Sequence, residues 1–255
     1  LTEDRVIVKS TGEPTYRLPD IAYHRDKYLR GYDIIIDVLG ADHLATVPDV
    51  LAGVNALGFD PSKVKVVLHQ FVTLTENGAQ VKMSKRSGRS YTLDELIEEV
   101  GPDVVRFFFL MRGVSTHLEF DLNLAREQSE KNPVFYLQYA YARICSIFDT
   151  ARERGVEFQL GYDCNSLNLP QEINLIKVLR EFPETINLAT EKLEPQILAE
   201  YLKDVATAFH SFYHDCRIIG TEEPLLSSRF KLAKVTQTVL RNGLQILGIS
   251  APERM

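Results

Sequence analysis

The 255-residue chain holds no apolar run long enough to span a bilayer, and its polar start, Leu1-Thr2-Glu3-Asp4-Arg5, is not a signal peptide. Its three cysteines, Cys145, Cys164 and Cys216, have no paired metal-ligand spacing and leave one unmatched in any disulfide scheme. A zinc module and a disulfide scaffold are both disfavoured, and a reducing, cytoplasmic setting is expected. Excess positive charge is missing too. Residues 1–122 carry 14 Lys/Arg against 18 Asp/Glu (−4), and residues 123–255 carry 15 against 17 (−2), which gives the net −6. A non-specific polyanion binder usually has a large positive field, so any nucleic acid must be recognised through local contacts. There is no internal repeat and no low-complexity tract. The first residue is not Met, and the abrupt start just before a strand suggests a piece of a longer protein.

The length favours two domains. Residues 1–122 mix strands and helices. Asp33 to Leu39 is a β-branched run expected to be a strand covered on both faces of a parallel sheet. Val64 to Leu68, within the strand-like stretch Val64–Leu74, is a second β-branched run, and Val47 to Leu57 between them has helical spacing that stops near Gly58, which makes a βαβ unit. Glu76-Asn77-Gly78 supplies a tight hairpin turn between Phe71–Thr75 and Ala79–Val81. From residue 123 onward helical periodicity takes over, with Leu137, Ile144 and Phe148 on one core face. Pro170, Pro183, Pro195 and Pro224 sit where helices can begin, Gly220 and Gly248 where two can stop, and 154–169 reads as a long loop. The second half is expected to be a helical bundle.

Chemistry concentrates in five segments. Lys82-Met83-Ser84-Lys85-Arg86-Ser87-Gly88 places cationic and hydroxyl groups on a short turn ending in glycine, a loop suited to phosphate, although a solvated basic turn fits the heptapeptide alone equally well. Thr92-Leu93-Asp94-Glu95 after it reads as a capping box. Gly40-Ala41-Asp42-His43 follows the buried strand, where ligands bind in open α/β sheets, with Asp42 as helix cap and His43 as a half-buried ring the other reading. Tyr16 and Asp20 put a phenol and a carboxylate four residues apart, which suits a planar guanidinium, or else a core aromatic and an N-cap. Residues 132–143 pack Tyr136, Tyr139 and Tyr141 with Gln138 and Arg143 into little more than two helical turns, a face able to stack on unpaired RNA bases or simply to pack in a core. Phe209, His210, Phe212, Tyr213, His214 and Arg217 form a second aromatic and basic cluster open to the same two readings.

Taken together these segments resemble bacterial arginyl-tRNA synthetases, of the class I aminoacyl-tRNA synthetase superfamily. Lys82-Met83-Ser84-Lys85 looks like the superfamily's second signature and Gly-Ala-Asp-His at 40–43 like its nucleotide and amino-acid element. More selective are residues 132–147, the Asp-Ile-Ala-Tyr-His run at 20–24, and the terminal Gly248-Ile249-Ser250-Ala251-Pro252-Glu253-Arg254-Met255.

The resemblance implies an α/β plus all-α protein: residues 1–122 as the second half of a Rossmann-like catalytic core, and 123–255 as an α-helical anticodon-binding bundle. It implies arginine activation by ATP and transfer to tRNA(Arg). Lys82, Ser84 and Lys85 would be catalytic. Gly40, Asp42, His43, Val81 and Met83 would line the ATP site. Tyr16, Asp20 and His43 would hold arginine, and Tyr136, Gln138, Tyr139, Arg143, Tyr213 and Met255 would contact tRNA. Magnesium would arrive with ATP, without a dedicated metal site or a tightly bound cofactor. Neither DNA nor a membrane is implied as a partner, and the full-length enzyme would be a monomer. The superfamily's first signature, His-x-Gly-His, is absent, since none of His24, His43, His69, His117, His210 and His214 begins such a tetrapeptide. Little or no activity is therefore expected of this chain alone. A free-standing tRNA-binding module is the alternative, distinguished by whether His-x-Gly-His is encoded upstream of Leu1.

Overall fold

A computed structural model describes residues 3–81, 91–161 and 164–255. The chain divides into two compact units, Leu1–Val72 with Val114–Leu118, and Thr73–Gly113 with Glu119–Met255.

In the first unit, helix α1 (Arg17–Leu29) follows a turn closed by the Val8–Pro14 bridge. Strand β1 (Ile35–Gly40), a 3-10 turn (Ala41–His43), helix α2 (Val47–Ala56) and strand β2 (Val64–His69) come next. β1 and β2 pair in parallel from Ile35 opposite Val64 to Gly40 opposite His69, so the expected βαβ order is present. Ile21, Ile35, Val50, Val54 and Val64 are buried. α1 lies so close to α2 that a Cβ on Gly53 would clash with the Ile21 side chain.

One expectation needs correction here. β1 is not covered on both faces within the described chain: Ile34, Ile36 and Val38 are 60%, 49% and 64% exposed, because alternation puts them on the side away from Ile35. The strand-like stretch 64–74 holds two strands, at the two runs Val64–Leu68 and Phe71–Thr75 expected there. At Gln70 the backbone leaves β1 and pairs elsewhere: the Gln70 amide donates to the Val114 carbonyl at 3.0 Å.

The second unit begins with a hairpin of β3 (Val72–Glu76) and β4 (Ala79–Gln80). Asn77 and Gly78 have φ of 51° and 74°, the paired positive values that a tight hairpin turn demands. β5 (Leu118–Asp121) completes a three-stranded sheet ordered β4-β3-β5. Helix α3 (Leu93–Val100) starts at the predicted capping box: the Thr92 hydroxyl accepts from the Glu95 amide, and the Glu95 carboxylate accepts from the Thr92 amide. Helices α4 (Pro102–Leu110) and α5 (Leu122–Arg126) follow.

The rest of this unit is helical: α6 (Pro133–Glu153), α7 (Pro170–Arg180), α8 (Phe182–Lys192), α9 (Gln196–Asp215) and α10 (Leu225–Ile246). Each of the four flagged prolines stands at a helix start, where its missing N–H costs nothing. α9 is central, packing against α6, α7, α8 and α10 around Phe209, Phe212, Leu198 and Leu202. Gly248, with φ of 69°, follows the end of α10 as expected. Gly220 does not stop a helix: α9 ends at Asp215 with Cys216 extended, and Gly220 lies in the connection beyond. Among the described residues, no helix is long and apolar enough to cross a membrane.

Candidate active site and nucleic-acid interface

In the first unit a cavity of about 330 Å³ opens where α1 meets β1 and α2, lined by Asp20, His24, Lys27, Asp37 and His43 together with Val38 and Val50. Its polar wall is built by spacing: Asp20, His24 and Lys27 follow one another at intervals of four and three on α1 and so share a face. Opposite them Asp37 projects from β1. The His24 ring spans the two elements. Its Nδ1 lies 2.8 Å from the Asp20 carbonyl oxygen and its Nε2 lies 2.6 Å from Asp37 Oδ2. Lys27 donates to the other Asp37 oxygen at 2.5 Å. Burial opposes the Asp37 charge, yet the Lys27 and His24 hydrogen bonds outweigh it and hold the carboxyl below the usual carboxylate range.

Gly40 closes β1 at the rim of this region, and a Cβ there would come within 2.6 Å of Asp42 Oδ1. Glycine thus leaves room for the carboxylate of Asp42 to fold back over the strand end. Asp42 and His43 are exposed on the 3-10 turn. The structure brings Asp20 and His43 to one cavity but leaves Tyr16 out of it, 95% exposed just before α1. Lys82, Met83, Ser84 and Lys85 lie outside the described residues, and Val81 is the last residue before them. His24 ends the selective run at 20–24, but the sequence assigned no role to it, to Lys27 or to Asp37. The i, i+4, i+7 spacing from Asp20 was the available signal.

The second unit carries a groove of about 810 Å³ between α6, α9 and the segment after it, adjoining another of about 590 Å³ along α6 and the carboxyl terminus. Tyr136, Tyr139, Arg143 and Tyr213 line the first; Tyr139 and Arg143 also line the second, with Arg254 and Met255. The Arg143 guanidinium stands 5.0 Å from the Tyr139 ring centre and 5.4 Å from that of Tyr213, and it donates to the Tyr139 hydroxyl. Its plane is thereby held among aromatic faces. His210 of α9 lies between the Tyr136 and Tyr139 rings, at 4.8 and 5.9 Å, and its Nε2 is buried with no hydrogen-bond partner among the described residues. Burial pushes the His210 pKa down from 6.5.

Gln138 is not brought to the groove. Its amide donates to Asp103 Oδ2 at 2.9 Å and to the Ser250 carbonyl at 3.1 Å, tying α6 to α4 and to the terminal segment. Tyr141 is buried core, as are Phe209 and Phe212 of the second aromatic cluster. His210, Tyr213, His214 and Arg217 line the groove instead, a division that helical periodicity could have made.

Comparison with known proteins places these features. Residues 137–255 match the family described as the DALR anticodon binding domain. The arginine–tRNA ligase of Salinibacter ruber is 56% identical over 253 residues, covering 99% of this chain and 45% of that protein. That of Desulfotalea psychrophila is 52% identical over 255 residues, covering 99% and 46%. The chain therefore spans about half the length of the curated relatives it matches. Among solved structures, an arginyl-tRNA synthetase from Campylobacter jejuni superposes with a TM-score of 0.89 at 32% identity, over 100% of this chain and 55% of that one. The Thermus thermophilus arginyl-tRNA synthetase gives 0.79 at 23% identity over 98% and 51%, a likeness of fold. This chain is thus similar almost end to end to about half of each of these arginyl-tRNA synthetases, with residues 137–255 matching the DALR anticodon binding domain.

Proposed function

We propose that this chain is the carboxyl-terminal portion of an arginine–tRNA ligase, with residues 1–122 supplying the second half of a Rossmann-like catalytic domain and 123–255 an α-helical anticodon-binding domain. The observation that carries the reading is the groove on α6 and α9. Tyr136, Tyr139 and Tyr213 can stack on unpaired bases of any sequence, while Arg143, Arg254 and the Met255 carboxyl-terminal region add directional contacts. Such a surface takes a single-stranded RNA loop without a large positive field, in keeping with the acidic net charge.

In the reaction proposed, the arginine carboxylate attacks the α-phosphate of ATP and pyrophosphate leaves. The terminal ribose hydroxyl of tRNA(Arg) then attacks the adenylate carbonyl and AMP leaves. Asp20 would accept from the arginine guanidinium, with Tyr16 as a further acceptor once the exposed ring is covered. Gly40, Asp42 and His43 would meet the adenosine at the end of β1, where open α/β sheets bind nucleotides, with Val81 and Met83 on its other side. Lys82, Ser84 and Lys85 would neutralise charge growing on the departing pyrophosphate. Magnesium would accompany ATP through its phosphate oxygens. The parallel β1-α2-β2 arrangement supports the Rossmann-like assignment. The setting would be cytoplasmic, the whole enzyme monomeric, and this portion alone inactive, since no His-x-Gly-His is present.

The test is arginine-dependent ATP–pyrophosphate exchange by the complete polypeptide containing this chain, with tRNA(Arg) present. Exchange with arginine is expected; exchange with another amino acid, or none, contradicts the reading.

A further inference from the structure

The cavity on α1 holds more charge than the amino-acid reading uses. Asp20 offers a carboxylate with no partner among the described residues, whereas Asp37, a second carboxylate lining the same cavity, is engaged on both oxygens. Two carboxylates facing one small cavity could each claim a cationic side chain. Only one is left available.

We propose that His24, Lys27 and Asp37 form a positioning strut that fixes the Asp20 carboxylate over the cavity and withholds Asp37 from the ligand, so that the site takes a single planar cationic group. Three observations carry it. The His24 ring reaches the Asp20 carbonyl with Nδ1 at 2.8 Å and Asp37 Oδ2 with Nε2 at 2.6 Å, so one side chain links the two elements. His24 thus braces the backbone of the residue that bears the Asp20 carboxylate while gripping β1. The strut is also sheltered: the His24 and Asp37 side chains are 9% and 11% exposed and that of Lys27 is 18% exposed, so water competes weakly for these bonds. Finally, all four residues line the same cavity, which makes the strut part of its wall. The charged groups around Asp37 are His24 and Lys27 of α1.

This inference rests on the proposed amino-acid-binding role of Asp20, and the experiment separates the two. Steady-state pyrophosphate exchange is measured for the complete polypeptide with tRNA(Arg) present, as wild type, Asp37→Asn and Lys27→Met. Lys27→Met keeps the long apolar stem and serves if Asp37→Asn folds poorly. Each variant is expected to raise KM for arginine about tenfold while KM for ATP stays within about twofold and kcat falls little, the signature of lost ground-state and transition-state binding together. Unchanged KM for arginine in a variant with a lowered melting temperature overturns the proposal, because the strut is then structural only. Equal increases in both KM values overturn it as well. Should the wild type activate a different amino acid, the arginine reading falls and the proposal is judged by KM for that amino acid. Absence of exchange with every amino acid overturns both.

Discussion

The Glu172 carboxylate is wholly buried and every bond it makes is charge-assisted or closes a helix end. Oε1 accepts from Arg229 Nε at 2.7 Å, and Oε2 accepts from the Asn168 and Leu169 amides, both at 2.9 Å, at the start of α7. Arg229 in turn donates to the Arg217 carbonyl at 2.5 Å. Removing one member strands the other, so Glu172→Ala should destabilise the chain by about 3–5 kcal/mol in urea titration. A loss under about 1 kcal/mol would mean that water reaches the guanidinium once the carboxylate is gone. His210 makes a second prediction at this scale. Its pKa is lowered on folding, so the unfolded chain binds the proton more readily and stability rises with pH through the window below 6.5. The contribution is fully present above 6.5 and is lost as pH falls through the lowered value. His210→Phe should flatten this part of the profile in denaturation midpoints taken between about pH 5 and 7.5, whereas an unaltered profile would assign the dependence to other groups. On the proposed mechanism, Lys85→Ala in the complete polypeptide should lower kcat while leaving the arginine KM nearly constant, because the charge that Lys85 would meet develops in the transition state. Unchanged turnover would remove it from the mechanism.

Among the elements, the crossing of α9 and α10 is a tight contact in the helical unit that can be tested by a single methyl group. A Cβ at Gly243 would stand 2.5 Å from Leu202 Cδ2 and 2.9 Å from Cδ1, with both residues buried. Gly243→Ala should cost about 1–3 kcal/mol by overpacking, more than the helix propensity it gains. Stabilisation instead would show that Leu202 has another rotamer to move into. The elements also mark what could be read from sequence. The Asn77-Gly78 turn, the Thr92 capping box and the helix-initiating prolines were legible because each is a local signal with its own mechanism. The division of 64–74 into two runs was legible too, but their separate partners were not, since only the long-range Gln70–Val114 pairing turns the backbone away from β1. β5 was missed for the same reason, its four residues depending on β3 for their partner. The site was legible where residue types cluster in sequence, as at 136–143. It was illegible where chemistry assembles across elements: Asp37 sits in an apolar strand pattern, and only the fold sets it against His24 and Lys27. Gln138 shows the converse, a plausible RNA-reading amide spent on Asp103 and Ser250.

At the scale of the whole molecule, each unit carries one half of the proposed chemistry, a small cavity with one free carboxylate in the first and a broad aromatic groove in the second. Their different sizes, about 330 Å³ against about 810 Å³, suit an amino-acid side chain and extruded nucleobases respectively. The uncovered face of β1, with Ile34, Ile36 and Val38, gives the first unit apolar surface that a larger catalytic domain would bury. The residues lining the groove all lie within the second unit, so on the proposed function RNA recognition should persist in this chain. The decisive measurement is its binding to tRNA(Arg) and to the same tRNA with a substituted anticodon, at one fixed salt concentration, for wild type and Tyr139→Ala. The native anticodon should bind more tightly, and Tyr139→Ala should weaken it by about tenfold, near the low end of what one stacked base contributes, with the melting temperature nearly constant. Equal affinity for both RNAs, or a loss that tracks unfolding, would contradict the assignment of the groove to the anticodon.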